Sequence, residues 1–174
     1  MKRQELIGDI LVREGRIDFQ QLRAAIAWQR RWGVKLGSAL LALGYLDERS
    51  LMGVLSRQLG IPEVVVNGRE VPGEVIRLVP ERILRERRVL PIALLVEPRR
   101  GTLLLATSDP LDVALLDDVA FASGRAVRPL LAPASDIDRA LARHLDGWQF
   151  RVPVELPPES MEDLELDFAA AFPA

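Results

Sequence analysis

Cysteine is absent from this chain and histidine occurs once, as His144. The first absence excludes disulfides, thiolate metal sites and a cysteine nucleophile. The second leaves no multi-histidine zinc or iron site. Long hydrophobic runs are missing too. The longest covers residues 89–96 and includes Pro91, whereas a membrane span needs roughly 20 apolar residues. Met1-Lys2-Arg3-Gln4-Glu5 reaches an acidic residue before any apolar stretch, so no secretory signal and no membrane insertion are expected. The expected location is cytoplasmic.

Lysine is scarce. All but Lys2 and Lys35 of the 23 basic residues are arginine, a skew that reads as coding bias. Neither lysine is followed by Ser or Thr, so the Gly-x-x-x-x-Gly-Lys-Ser/Thr phosphate loop does not occur. No Ser-His-Asp set or paired carboxylates stand out either. An enzyme is not expected, and neither is a cofactor.

What remains is a chain built to fold: 174 residues, 49% hydrophobic and 28% charged. Its charge is uneven. No basic residue follows Arg151, but Glu155, Glu159, Glu162, Asp163, Glu165 and Asp167 do, so the tail carries −6 and the body +4. That body is too weakly basic for a DNA or RNA partner, which needs a dense basic stripe. Arg82, Arg85, Arg87 and Arg88, interrupted by Glu86, read as a solvated helix face. In the tail, Met161, Leu164, Phe168 and Phe172 recur at i, i+3, i+7 and i+11, a spacing suited either to an amphipathic docking helix or to an unstructured terminus.

Prolines divide the chain. None of the 12 precedes Pro62, and Gly60 with Pro62 suits a helix stop. Three segments follow: residues 1–61, 62–146 and an acidic tail, 147–174. The middle one reads as mixed α/β. Val64-Val65-Val66 is a short β-branched run; residues 74–88 are helical with a break at Pro80; residues 90–96 and 102–106 form a hairpin across Pro98-Arg99-Arg100-Gly101. Asp109-Pro110 opens a helix to about residue 122, residues 127–131 form a strand, and Ser135 with Asp138 caps a last helix. The expected class is α+β: four N-terminal helices packed with a small α/β subdomain of about four strands and three helices.

The first segment is duplicated. Offset by 29, residues 6–29 lie on 35–58, and six of 24 positions are identical: Gly8/Gly37, Leu11/Leu40, Gly15/Gly44, Asp18/Asp47, Leu22/Leu51 and Gln29/Gln58. Chance gives about one or two. Ile7/Leu36, Val12/Leu41, Ile17/Leu46 and Ile26/Leu55 are aliphatic in both. Each copy reads as an α-hairpin: a helix stopped by a left-handed glycine, then an aspartate cap opening a second helix, with Gln21 completing a capping box in the first copy. Gly8 and Gly37 near a helix start each cost about 1 kcal/mol relative to Ala. Two readings stand open: helix–helix contact through a small residue, or a ligand resting on exposed backbone N–H groups. Two such places related by duplication suit a ligand that is itself two-fold symmetric.

Residues 6–29, the spacer 30–34 and residues 35–58 resemble the tandem motif of the MshEN domain, the N-terminal domain of many type II secretion and type IV pilus assembly ATPases. The motif runs Arg-Leu-Gly, then Leu, Gly, Leu, Leu and Gln, twice over. Leu78-Val79-Pro80-Glu81, Val89-Leu90-Pro91, Ala106-Thr107-Ser108-Asp109-Pro110 and Ser135-Asp136-Ile137 are similar to that domain's α/β half. The resemblance implies binding of cyclic di-guanylate, a cyclic di-nucleotide, one half per motif copy. Gly8 and Gly37 then let backbone approach the ligand. Ile7, Leu11, Leu22 and Ile26 face one half, and Leu36, Leu40, Leu51 and Leu55 the other. Asp109 accepts from a guanine edge. Partners would be secretion or pilus assembly proteins.

One departure shapes the expectation. The leading arginine of the motif is Leu6 in the first copy and Lys35 in the second. Guanidinium reads a guanine edge as a fork; ammonium supplies only a point charge, and leucine supplies nothing. Arg30 and Arg31 in the spacer read as solvated linker or as charge between the halves. Two functions follow: a non-catalytic nucleotide receptor, or an interaction module with a degenerate nucleotide site.

Overall fold

Two tandem α-hairpins lead into a three-stranded sheet flanked by helices in a computed structural model that describes residues 6–95 and 101–146. The first hairpin joins α1 (Ile7–Arg13) to α2 (Phe19–Trp32), and the second joins α3 (Leu36–Ala42) to α4 (Glu48–Leu59). The same chemistry closes both. Gly15 and Gly44 take φ +65° and +68°, which glycine adopts without a Cβ clash. Around them Gly15 N–H donates to Val12 O and Arg16 N–H to Leu11 O; Gly44 N–H to Leu41 O and Tyr45 N–H to Leu40 O repeat the pattern. These paired bonds are Schellman closures, which satisfy carbonyls left open at a helix end.

Aspartate then opens the second helix of each copy. Asp18 accepts from Gln21 N–H, and the Gln21 side chain accepts from Asp18 N–H, both at 2.8 Å, completing the expected capping box. Asp47 accepts from Ser50 N–H at 2.8 Å and from the Ser50 hydroxyl at 2.6 Å. Packing crosses the copies: α1 lies against α4, and α2 against α3. Exchanging the copies maps one contact onto the other. Leu11, Leu40, Ala25 and Ala39 are wholly buried in the shared core, which also takes in Leu131 from the sheet.

Beyond Gly60, left-handed at φ +67°, come α5 (Gly73–Ile76), α6 (Glu81–Arg87), β1 (Leu90–Leu95), β2 (Thr102–Thr107), α7 (Val113–Ser123), β3 (Ala126–Leu131) and α8 (Ala134–Leu141); a π-helical turn, Ala142–Asp146, follows. The sheet order is β1-β2-β3. β1 and β2 pair antiparallel, while β2 and β3 run parallel across the α7 connection. Pro91 and Pro129 both fall on the outer strands, where a missing N–H is tolerated. The ladder register shifts between Pro91 and Ala93. Leu90, Leu103, Leu105 and Val119 fill the second core.

The α+β class stands, with corrections in detail. Among the described residues the sheet has three strands, not about four: the Val64-Val65-Val66 run makes only a bridge of Glu63 with Leu131, where Val64 N–H donates to Leu131 O at 2.8 Å. Pro62 has no N–H to extend that ladder, and Val65 points outward. The expected break at Pro80 separates α5 from α6, so the described residues of this half hold four α-helices rather than about three. α7 is capped by Asp112, which accepts from Leu115 N–H at 3.0 Å, and not by Asp109. α8 starts after Pro133 without a side-chain cap, and Ser135 bonds Glu48 instead. The expected turn at 98–100 and the tail pattern from Met161 to Phe172 lie outside the described residues. No helix among the described residues is long and apolar enough to cross a membrane.

Candidate ligand-binding groove

The first residue of each repeated motif is a helix N-cap. Leu6 precedes α1 and Lys35 precedes α3, neither with a side-chain capping bond. An N-cap in extended backbone sends its side chain outward. Leu6 is accordingly 71% exposed, a large apolar group in water with no buried role.

Two residues on, the glycines are explained by what lies against them. A Cβ on Gly8 would sit 2.7 Å from Leu22 Cδ1 and 3.4 Å from Leu36 Cδ2. One on Gly37 would sit 3.0 Å from Leu51 Cδ2. Both contacts are the same one, the second helix of a hairpin resting on the first. Gly8 is buried, with its Cα against Leu22 rather than open space; Gly37 is half-buried and borders a groove.

That groove, with a volume of ≈ 560 Å³, runs between the second hairpin and the loops of the α/β half. It brings together Ile7, Lys35, Leu36, Gly37, Leu51, Leu55 and Asp109 of the residues singled out from sequence. Gly8, Leu11, Leu22, Ile26 and Leu40 do not line it. Leu11 and Leu40 are wholly buried in the helical core, Leu22 is buried, and Ile26 is partly buried against that core.

Charge gathers along the groove. Lys35 Nζ is paired with Asp109 Oδ2 across 74 residues of sequence, and both are accessible, at 67% and 38%. Asp109 N–H donates to Thr107 Oγ1 at 3.1 Å, which orients its loop. Arg88, the C-cap of α6, also lines the groove. It is the sole described non-glycine residue with positive φ, at 52°. Its Nε donates to Asp138 Oδ1 at 2.9 Å, and its Nη2 pairs with the other Asp138 oxygen. The Asp138 hydrogen bond raises the Arg88 pKa above its ordinary value, against a smaller opposing effect of burial, so the guanidinium stays charged. Glu48 is a further lining residue, and it accepts from the backbone N–H and hydroxyl of Ser135.

Sequence reasoning missed Arg88, Glu48 and Met52 as groove residues. By spacing alone Arg88 belongs with three neighbours on a solvated face. Those neighbours do make surface ion pairs: Arg82 with Glu86, Arg85 with Glu81 and Asp146, and Arg87 with Asp118. The left-handed cap turns Arg88 away from them. No group of acidic and histidine residues suited to a metal occurs among the described residues.

Known proteins are similar to this chain in sequence and fold. The MshEN domain model matches residues 59–147, the α/β half. The type IV pilus assembly ATPase PilB of Myxococcus xanthus is 32% identical over 139 residues, which is 79% of this chain and 24% of that protein. PilB of Thermus thermophilus is 30% identical over 162 residues, 92% of this chain and 18% of that one. The chain thus spans a quarter of these relatives or less. Among solved structures, MshE with cdg (cyclic di-guanylate) superposes with a TM-score of 0.67 at 29% identity, covering 80% of this chain and 99% of that one. A match over 80% of the chain cannot be confined to residues 59–147, so it extends into the hairpins. The N-terminal domain of XpsE follows with a TM-score of 0.62 at 24% identity, covering 82% and 98%, a likeness of fold.

Proposed function

This chain belongs to the MshEN domain family, and from that premise we propose that it is a non-catalytic receptor domain for cyclic di-guanylate on the cytoplasmic side of a type II secretion or type IV pilus system. The observation that carries the reading is the meeting of Lys35, Gly37, Leu51 and Leu55 with Asp109 in one groove. The motif residues come from the repeat and the carboxylate from the α/β half, so the ligand would bridge the two. The likeness to MshE with cdg supports the choice of ligand.

The chemistry follows from the groove. Ile7, Leu36, Leu51 and Leu55 offer an apolar floor for a base. Asp109 accepts from the N–H groups of a guanine edge, and Lys35 meets phosphate or the guanine O6. Both are tied to each other before the ligand arrives. That pair is exposed, and exposed pairs contribute only about 0–1 kcal/mol, so exchanging it for ligand contacts costs little. Arg88 adds a guanidinium, though Asp138 already occupies its fork.

Titration calorimetry of the full chain with cyclic di-guanylate, and with cyclic di-adenylate as control, tests this. Guanylate-selective heat is expected. Asp109→Ala should weaken binding by tenfold or more, since hydrogen bonds to a charged group contribute about 1.5–3 kcal/mol. Lys35→Arg should strengthen it by restoring the fork. Silence at high micromolar ligand from both wild type and a Leu6→Arg/Lys35→Arg variant would remove the receptor reading.

A second reading has its own support. Leu6 supplies no charge where the first copy's motif has its leading arginine, and Leu22 fills the space beside Gly8. A degenerate site on a module that binds secretion or pilus assembly proteins fits those facts. Binding gained only on Leu6→Arg/Lys35→Arg would favour it.

A further inference from the structure

The duplication that builds the groove also marks a second surface. On α4 the groove is walled by Glu48, Met52, Leu55 and Leu59, and loops of the α/β half lie across from them. The offset of 29 puts Phe19, Arg23, Ile26 and Arg30 at the same positions of α2. Phe19, Arg23 and Arg30, at i, i+4 and i+11, share one flank of that helix, and all three are exposed. Trp28 and Trp32 lie on the opposite flank, with Arg31 leaning over Trp32, and belong to a separate surface. Phe19 is 64% exposed, and Leu6, at the position of Lys35, adds a second exposed apolar group. Asp9, at the position of Ser38, is the lone carboxylate among the counterparts of the groove residues, against two arginines. No salt bridge among the described residues engages Arg23 or Arg30. A basic flank with large apolar groups left in water marks an interaction surface.

We propose that this flank docks on α7 of a second copy of the chain, joining copies head to tail. Charge and apolar pattern together select α7. Val113, Asp117 and Phe121 recur at i, i+4 and i+8 as a single exposed stripe, and Phe121 is 92% exposed. α7 contains Asp117 and Asp118 but no basic residue; Arg125 follows its Gly124 stop. Asp118 is paired with Arg87, whereas no salt bridge among the described residues engages Asp117. Arg23 and Arg30 therefore have a carboxylate to meet, set between two apolar groups that suit Phe19 and Ile26. The surface that covers α4 within the chain does not suit this flank. It carries Arg88, which is compatible with Glu48 on α4 but would meet like charge at Arg23 and Arg30. The two docking surfaces are unlike, so the contact is heterologous and builds open chains or a closed ring. It uses neither Lys35 nor Asp109 and does not depend on a nucleotide in the groove.

Sedimentation velocity of the full chain tests this. The sedimentation coefficient should rise with protein concentration, and the rise should shrink in high salt, which screens exposed charges. Arg23→Glu/Arg30→Glu and Asp117→Asn/Phe121→Ser each alter one surface through exposed side chains, so circular dichroism should not change. Each variant alone should stay monomeric. Their equimolar mixture should give a one-to-one dimer that grows no longer, because each supplies the surface the other has lost. Adding Asp117→Arg to Arg23→Glu/Arg30→Glu should restore association by exchanging the charges. A wild type that is monomeric at every concentration overturns the proposal. So does association that ignores both variants, or a mixture that stays monomeric. An Arg23→Glu/Arg30→Glu variant that loses only binding to phosphatidylglycerol vesicles also overturns it, and assigns the flank to a membrane.

Discussion

The two hairpins began as one sequence and now differ in what surrounds them. Both keep the Schellman glycine, the aspartate cap and the leucine that covers the early glycine. The second bonds the α/β half through Lys35 with Asp109 and Glu48 with Ser135. There its N-cap Lys35 finds Asp109, its half-buried Gly37 borders a groove, and Leu51 and Leu55 line it. The first presents Leu6 to solvent and turns the outer face of α2 outward with three exposed aromatics. A duplicated module thus keeps the same stops and aspartate caps while its neighbours decide which copy borders a groove.

The largest effect should come from the core, where the copies are equivalent. Leu11→Ala and Leu40→Ala should each cost about 2–5 kcal/mol in urea unfolding, as removal of wholly buried leucines does. A difference between them beyond about 1 kcal/mol would break the equivalence. Next come the glycines. Gly8→Ala should cost about 1–3 kcal/mol, because its Cβ would fall 2.7 Å from Leu22 Cδ1 and the buried leucine must shift. Gly37→Ala should cost less than about 1 kcal/mol, since the 3.0 Å approach to Leu51 needs a smaller shift and Ala is the better helix former.

The caps should matter less. Asp18→Ala and Asp47→Ala should each lose about 1 kcal/mol. Asp47 has a further signature. The Ser50 hydroxyl, and then the Ser50 N–H, hold its pKa below the ordinary 3.8. A carboxylate depressed on folding stabilises fully above its unfolded value and loses that contribution as pH falls through the folded one. Thermal melts should therefore show an advantage over Asp47→Asn above about pH 4 that fades in more acid solution. Smallest in stability is Arg88→Gly. Relief of the left-handed backbone, about 1 kcal/mol, offsets an exposed ion pair contributing about 0–1 kcal/mol. Weaker nucleotide binding at unchanged stability would separate the function of Arg88 from its packing.

Much of the fold is legible in the sequence because its determinants are close together. A glycine stop, an aspartate cap and an i, i+4, i+7 stripe each act within one or two turns, and the hairpins follow from them. Helix starts mislead where competing local patterns lie side by side. Asp109-Pro110 and Asp112 both look like caps, and only the latter reaches Leu115 N–H. Ser135 has the look of a cap, but Glu48, 87 residues away, takes its hydroxyl. The candidate groove is half-legible for the same reason. The motif leucines and glycines announce themselves by repetition, but repetition does not distinguish a leucine that lines a groove from one that fills a core. Leu55 does the former and Leu40 the latter.

Sequence alone determined the two hairpins, their stops and caps, and the kinship of the copies, because those are short-range matters of backbone conformation and hydrogen bonding. Only the tertiary structure decided which copy would face a groove and which charges would meet across it. Lys35 with Asp109, Arg88 with Asp138 and Glu48 with Ser135 join residues 50 to 87 positions apart. Such pairs form when packing of the apolar cores brings distant surfaces together, and no local pattern encodes that meeting.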